Sequence, residues 1–236
     1  MNGLDKALAA AFGEEKLRRL QQVRIGMAGA GGLGSNTALF LARSGFKRFK
    51  IVDFDRVDYS NLNRQFFFYR QVGEEKVKAL KENLLSVSPD LEIEISVERI
   101  EAENAGRIFA GCQAVVEALD GVKYKKLLIE AYMNTDILLV AASGLGGWGE
   151  TDNIRVHRVK DNFFLVGDLV SGAGPDCPAL APGVAVTAAK QADVVLSYFL
   201  GKTEGRGYRG DKAGPGHIFG GGPLRDNRLG TLSGQE

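Results

Sequence analysis

Residues 23–55 read VRIGMAGAGGLGSNTALFLARSGFKRFKIVDFD. The apolar run from Val23 to Ala28 predicts a strand. Gly29-Ala30-Gly31-Gly32-Leu33-Gly34 predicts a turn. A helical segment follows, with Leu39, Leu41 and Ala42 on its apolar side, and stops at Gly45. A second apolar run, Phe49 to Val52, ends at Asp53. Strand, glycine turn, helix and strand form one βαβ unit, the context in which such glycines bind a dinucleotide or nucleotide. One glycine allows the tight turn, one lets backbone approach a phosphate, and one lets helix pack close on strand. The helix N-terminus adds unpaired N–H groups and positive dipole for an anion. Asp53, 19 residues after Gly34, stands about where a carboxylate meets a ribose. Gly29, Gly31, Gly32, Gly34 and Asp53 are therefore candidate nucleotide-binding residues.

The surrounding chain bounds the class. It has 236 residues, 44% hydrophobic and 25% charged, with a formal net charge of +1. That composition predicts a globular chain and gives no electrostatic argument for nucleic acid or an anionic membrane. No apolar run reaches membrane-spanning length. The N-terminus lacks the basic and apolar regions of a signal peptide, so a cytoplasmic protein is expected. The two cysteines, Cys112 and Cys177, form no C-x-x-C pair, which leaves zinc ribbons and thioredoxin-type chemistry without ligands.

Periodicity extends the α/β pattern. Helices are expected over Gly3–Leu20, interrupted at Gly13, and from Gly73 to about Ser86, with further ones at Ala102–Ala110, Val122–Met133 and Gly183–Leu200. Strands are expected at Leu91–Val97, Ala114–Leu119 and Ile137–Ala142. Ile154–Val159 and Asn162–Val166 read as antiparallel strands added to a parallel sheet. The expected fold is Rossmann-like: a mostly parallel sheet with helices on both faces. The aromatic run Phe66–Tyr69 reads as core or dimer interface. Residues 1–201 form one expected domain. Residues 205–236 hold 10 of the 31 glycines, so 202–236 is expected to be a disordered tail.

The residues after the second strand narrow the function. Asp53-Phe54-Asp55-Arg56-Val57-Asp58-Tyr59-Ser60-Asn61-Leu62-Asn63-Arg64-Gln65 carries the pattern D-x-D-x-V-x-x-S-N-L-x-R-Q. It resembles the adenylating domain of the ubiquitin-activating-enzyme-like superfamily (ThiF/MoeB/HesA). Asp161–Asp168, Ala181-Pro182 and the helix from Gly183 look most like the short thiamine-biosynthesis ThiF type. The resemblance covers roughly Gly13 to Gly201. It implies an ATP-dependent adenylyltransferase that activates the C-terminal glycine of a ubiquitin-like, ThiS-like sulfur-carrier protein in thiamine biosynthesis, using ATP and Mg²⁺. It also implies a homodimer and a sulfur-donor protein.

By the same resemblance, Gly32 approaches ATP, Asp53 holds ribose, and Asn61, Arg64 and Lys76 face phosphates. Asp120 holds Mg²⁺, and Cys177 lies near the family's reactive thiol. Such a set suits the chemistry. A carboxylate is already ionised at neutral pH, so no general base is needed. Positioning and cations aimed at developing negative charge do most of the work. Two features depart from the pattern. The family's N-terminal R-Y-x-R-Q segment is absent, and Asp176 and Pro178 bring no cation to lower the pKa of Cys177. The alternatives are an adenylating dehydratase acting on a modified tRNA base, a NAD-dependent oxidoreductase, and a nucleotide-binding scaffold without catalysis.

Overall fold

The computed structural model describes residues 1–201; the tail expected over 202–236 lies outside them. Helices α1 (Gly3–Phe12) and α2 (Glu14–Gln22) meet at Gly13, whose φ of 98° breaks the helical path. Asn2 caps α1 by accepting from Asp5 N at 2.8 Å. Asp5 in turn meets Lys47 at 2.9 Å, which also pairs with Asp90 at 2.5 Å and clamps α1 to the body.

The centre is a seven-stranded sheet. Strands β1 (Arg24–Ala28), β2 (Arg48–Val52), β3 (Glu92–Ser96), β4 (Ala114–Glu117) and β5 (Leu138–Ala142) run parallel. With β6 (Arg155–Lys160) and β7 (Phe163–Gly167), the order is β3-β2-β1-β4-β5-β7-β6. The central strands are apolar throughout because both faces are covered. Along β7, Phe164 and Val166 enter the core beneath α3 (Gly32–Arg43), α4 (Lys76–Val87) and α6 (Ala181–Leu200). Phe163 and Leu165 enter the opposite core with Leu128, Ile129 and Tyr132 of α5 (Val122–Tyr132). The Rossmann-like α/β expectation is borne out.

Three details depart from expectation. The predicted pair of added antiparallel strands is half right: β6 is antiparallel to β7, but β7 lies parallel to β5. The chain leaves β5, skips the neighbouring position to lay down β6 at the sheet edge, and hairpins back into the gap as β7. Residues 102–110, predicted helical, form turns. Asn104 explains this, accepting from Glu101 N at 2.8 Å and donating to Arg99 O at 2.9 Å, the local bonding that competes with a helix. The segment still docks firmly, because Phe109 lies where a side chain on Gly26 of β1 would be: an added Cβ there would sit 2.5 Å from its ring. In the aromatic run, only Phe67 is buried; Phe68 and Tyr69 are exposed.

Beyond β1 the order reverses: β2 lies on one side of it and β4 on the other. Such a switch point opens a crevice at the C-terminal strand ends, where ligands bind in open α/β sheets.

Candidate active site

Two adjoining chambers fill that crevice. The first is a cavity of ≈ 250 Å³ among the ends of β1, β2 and β4. Gly29, Gly31, Asp53, Lys76 and Asp120 line it, with Phe54, Arg99, Ile100 and Tyr124 on its outer side. The second, ≈ 530 Å³, is lined by Gly32, Arg64, Asp120, Lys125, the start of the loop that follows β5, and Ala173 and Ala179 of the loop that follows β7. Ala118, Leu119 and Asp120 border both.

The glycine turn is held by contacts that specify glycine. Gly29 has φ 98°, and a Cβ on it would lie 2.6 Å from the Ala118 carbonyl. A Cβ on Gly34 would lie 1.9 Å from the Gly29 carbonyl. Gly34 therefore closes the turn on itself. Gly31 meets nothing nearer than the Gln65 amide nitrogen at 3.9 Å, so its backbone is the one open to a phosphate.

Asp53 has a structural task besides facing the cavity. Its carboxylate accepts from Ala30 N at 2.6 Å and from Asp55 N at 2.8 Å, tying β2 to the glycine turn. Each oxygen keeps a lone pair for a ribose hydroxyl. Lys76, buried at the start of α4, pairs with Asp55 at 2.8 Å. Arg64 donates from Nη1 to Ser60 O at 3.0 Å and to Asn63 Oδ1 at 2.7 Å. Its own carbonyl accepts from Asn36, which also bonds the Gly32 carbonyl, so Arg64 is stapled to the first turn of α3.

Asp120 is exposed and makes no hydrogen bond or ion pair with the described residues. A free carboxylate beside a phosphate cradle fits Mg²⁺, which takes one or two carboxylates and completes its shell with phosphates and water. Among the described residues there is no cluster of His, Cys, Asp and Glu that would cage a metal unaided.

Three predicted residues, Gly34, Asn61 and Cys177, are not brought into either lining. Asn61 caps a 3-10 turn, its amide oxygen accepting from Asp58 N at 3.0 Å. Cys177 lies in the loop before α6, where its Sγ would be 3.1 Å from a Cβ on Gly147. That loop and the one after β5 are joined by Gly146 N donating to Ser171 Oγ at 3.0 Å and Gly147 N donating to Pro178 O at 3.2 Å.

The sequence reading passed over Glu117 and Lys125. Glu117 ends β4 with no exposed surface, and its carboxylate accepts from Leu119 N at 2.8 Å and pairs with Lys125 at 2.5 Å. Its carbonyl accepts from Gln191 at 3.3 Å, and Gln191 accepts from Thr37 of α3 at 3.0 Å. The legible signal was a carboxylate inside the apolar run Ala114-Val115-Val116-Glu117-Ala118-Leu119, since buried charges need partners.

A model of the ThiF family matches residues 4–211. The chain belongs to the ThiF family. The wider resemblance to ubiquitin-activating-enzyme-like adenylating proteins is thereby borne out. This ThiF-family chain is 34% identical over 148 residues to a tRNA threonylcarbamoyladenosine dehydratase of Bacillus subtilis, covering 61% of the chain and 57% of the relative. It is 35% identical over 142 residues to the adenylyltransferase and sulfurtransferase UBA4 of Candida glabrata, covering 60% and 33%. The chain thus spans only part of the length of these relatives. The Escherichia coli tRNA N6-threonylcarbamoyladenosine dehydratase, solved in complex with ATP, superposes with a TM-score of 0.75 at 22% identity, covering 84% of this chain and 93% of that one. At that identity the likeness is one of fold. No helix among the described residues is long and apolar enough to cross a membrane.

Proposed function

We propose that this chain is an ATP-dependent adenylyltransferase that activates the C-terminal glycine carboxylate of a ubiquitin-like sulfur carrier. Thiamine biosynthesis is the pathway the sequence resemblance implies for it. ATP would lie with its ribose on Asp53 and its phosphates over Gly31 and Gly32. Lys76 and Arg64 would leave Asp55, Ser60 and Asn63 for phosphate oxygens. Asp120 would hold Mg²⁺, which supplies charge neutralisation at the phosphates. The carboxylate oxygen bonds the α-phosphorus, the bond to the bridging oxygen breaks, and that electron pair departs with pyrophosphate. The product is an acyl-adenylate, which a sulfur-donor protein would convert to a thiocarboxylate.

The observation that carries the carrier over an RNA is the mouth of the second chamber. Residues 143–154 and 168–180, the loops that frame it, contain Glu150, Asp152, Asp168 and Asp176 and no lysine or arginine. A phosphate backbone gains affinity by releasing counterions to cations, and these two loops offer none. The same loops expose Trp148 and Val170, which suit a protein surface. The second reading, adenylation of a carboxyl on a modified tRNA base, is favoured by the likeness to the dehydratases.

The test is ATP–pyrophosphate exchange in the presence of either a ubiquitin-like sulfur carrier ending in Gly-Gly or a tRNA bearing threonylcarbamoyladenosine. Exchange with the carrier is expected. Exchange with the tRNA alone would move the assignment to the dehydratase, and tighter binding of NAD than of ATP in calorimetry would move it to an oxidoreductase. Cys177→Ser is expected to leave exchange within about twofold, because the attacking carboxylate belongs to the substrate. Thiocarboxylate formation falls in that variant only if the thiol takes part after adenylation, in an enzyme-bound acyl or persulfide intermediate. A folded Cys177→Ser protein without exchange would show that its loop builds the site.

A further inference from the structure

An ion pair with a fully buried carboxylate and a mostly buried lysine lies at the wall of the second chamber, outside the set of residues assigned above. Glu117 has no exposed surface and Lys125 retains 19% of its side-chain exposure, facing the chamber. Desolvating both charges is costly, and an apolar pair of similar volume would often be as stable. Stability alone therefore gives little reason for a lysine at this place.

Position suggests a better reason. Lys76 lies in the first chamber, with Gly31 and Asp53. Lys125 lies in the second, which Lys76 does not line, together with Arg64, Gly144, Leu145, Ala173 and Ala179. This chamber opens between the two mouth loops, so it is the side from which an acyl substrate enters. A carboxylate approaching a triphosphate is repelled by it, and more strongly in a partly buried cleft than in bulk water. A cation on the entry side, separate from those on the phosphates, would offset that repulsion.

We infer that Lys125 is the acyl-carboxylate-binding residue of this site, held ready by Glu117 in the empty enzyme and shared with the substrate carboxylate once it enters. Glu117 is a positioning residue. Its carboxylate fixes both the lysine and Leu119 N, and Leu119 N belongs to the turn that presents Asp120. The network through Gln191 and Thr37 ties that turn to the first helix of the nucleotide cradle. The inference rests on the function proposed above only in requiring an acyl substrate that carries a carboxylate.

The experiment compares the wild type with Lys125→Met, Lys125→Arg and the double variant Glu117→Gln/Lys125→Met. The double variant removes both charges, so no buried carboxylate is left unpaired. Exchange is measured as the carrier ending in Gly-Gly is titrated, or threonylcarbamoyladenosine tRNA if that is the substrate the wild type accepts. ATP affinity is measured by calorimetry without acyl substrate. Lys125→Met and the double variant are expected to raise the acyl KM tenfold or more, with ATP Kd within about twofold of wild type. Lys125→Arg should recover part of the loss. Wild-type exchange with neither substrate would count against the function proposed above. Given wild-type exchange, an unchanged acyl KM in the folded double variant overturns the inference. So does an ATP Kd that weakens as much as the acyl KM, which would assign Lys125 to the nucleotide.

Discussion

Arg64→Ala is expected to lower ATP–pyrophosphate exchange at least about a hundredfold while leaving the melting temperature almost unchanged. The rate effect is the scale for losing one preorganised donor to a developing negative charge. Preorganisation is visible in the backbone: the Arg64 carbonyl is bonded by Asn36 at 2.9 Å, and Asn36 also holds the Gly32 carbonyl at 2.7 Å. The guanidinium uses Nη1 on Ser60 and Asn63 and keeps its other donors for the chamber. Those two bonds are exposed, and exposed polar contacts contribute little to stability. Asp120→Ala should show the same separation of activity from stability, since its carboxylate has no partner among the described residues to lose. Near-normal exchange in either folded variant would remove that residue from the site.

Gly34→Ala should have the largest effect on the fold itself. A methyl group there would lie 1.9 Å from the Gly29 carbonyl oxygen, which is backbone and cannot rotate away. Gly29 is fixed in turn by its N–H on Val52 O at 2.8 Å and by its approach to Ala118. Relief requires the turn, β1 and the start of α3 to move together. Overpacking a rigid site costs on the order of 3 kcal/mol, which for a chain of this size lowers the melting temperature by about 10 °C. ATP binding should be lost with it. Gly31→Ala makes the contrast: no atom lies closer than 3.9 Å to the added carbon, so the protein should fold normally and lose affinity for ATP alone. Equal stability losses in the two variants would contradict this division of roles.

The comparison of sequence with structure follows the same physical line. The βαβ unit was legible because its signals are local: apolar runs of strand length, glycines in the turn, and a helical stripe. The Gly34 contact was legible only as a requirement for glycine, because the atom it must avoid lies five residues back on a folded turn. The parallel pairing of β5 with β7 had no local signal, since a strand's apolar pattern does not name its neighbour. Residues 102–110 carry helical spacing, and the Asn104 side chain overrides it with bonds no period reveals. In the site, Asp53, Arg64, Lys76 and Asp120 could be picked out because each stands in a motif or at a strand end. Lys125 could not, because its meaning comes from Glu117, eight positions away across a strand, a turn and a helix start.

The doubled-back path of β6 and β7 has a consequence for how such a protein can diversify. Both mouth loops leave the sheet at the C-terminal ends of neighbouring parallel strands, and neither contributes a residue to a strand register. Apart from Leu145 and Ala179, which pack on the cluster holding Leu33 of the glycine turn, length and sequence can change there without shifting a ladder, as surface connections on a rigid scaffold generally allow. On the proposed function, the part of the molecule that would handle ATP and most of the part that would meet an acyl partner are therefore mechanically separable. On that function a lineage could exchange one partner for another, protein or RNA, by rewriting about two dozen loop positions, while the proposed adenylating machinery was inherited intact.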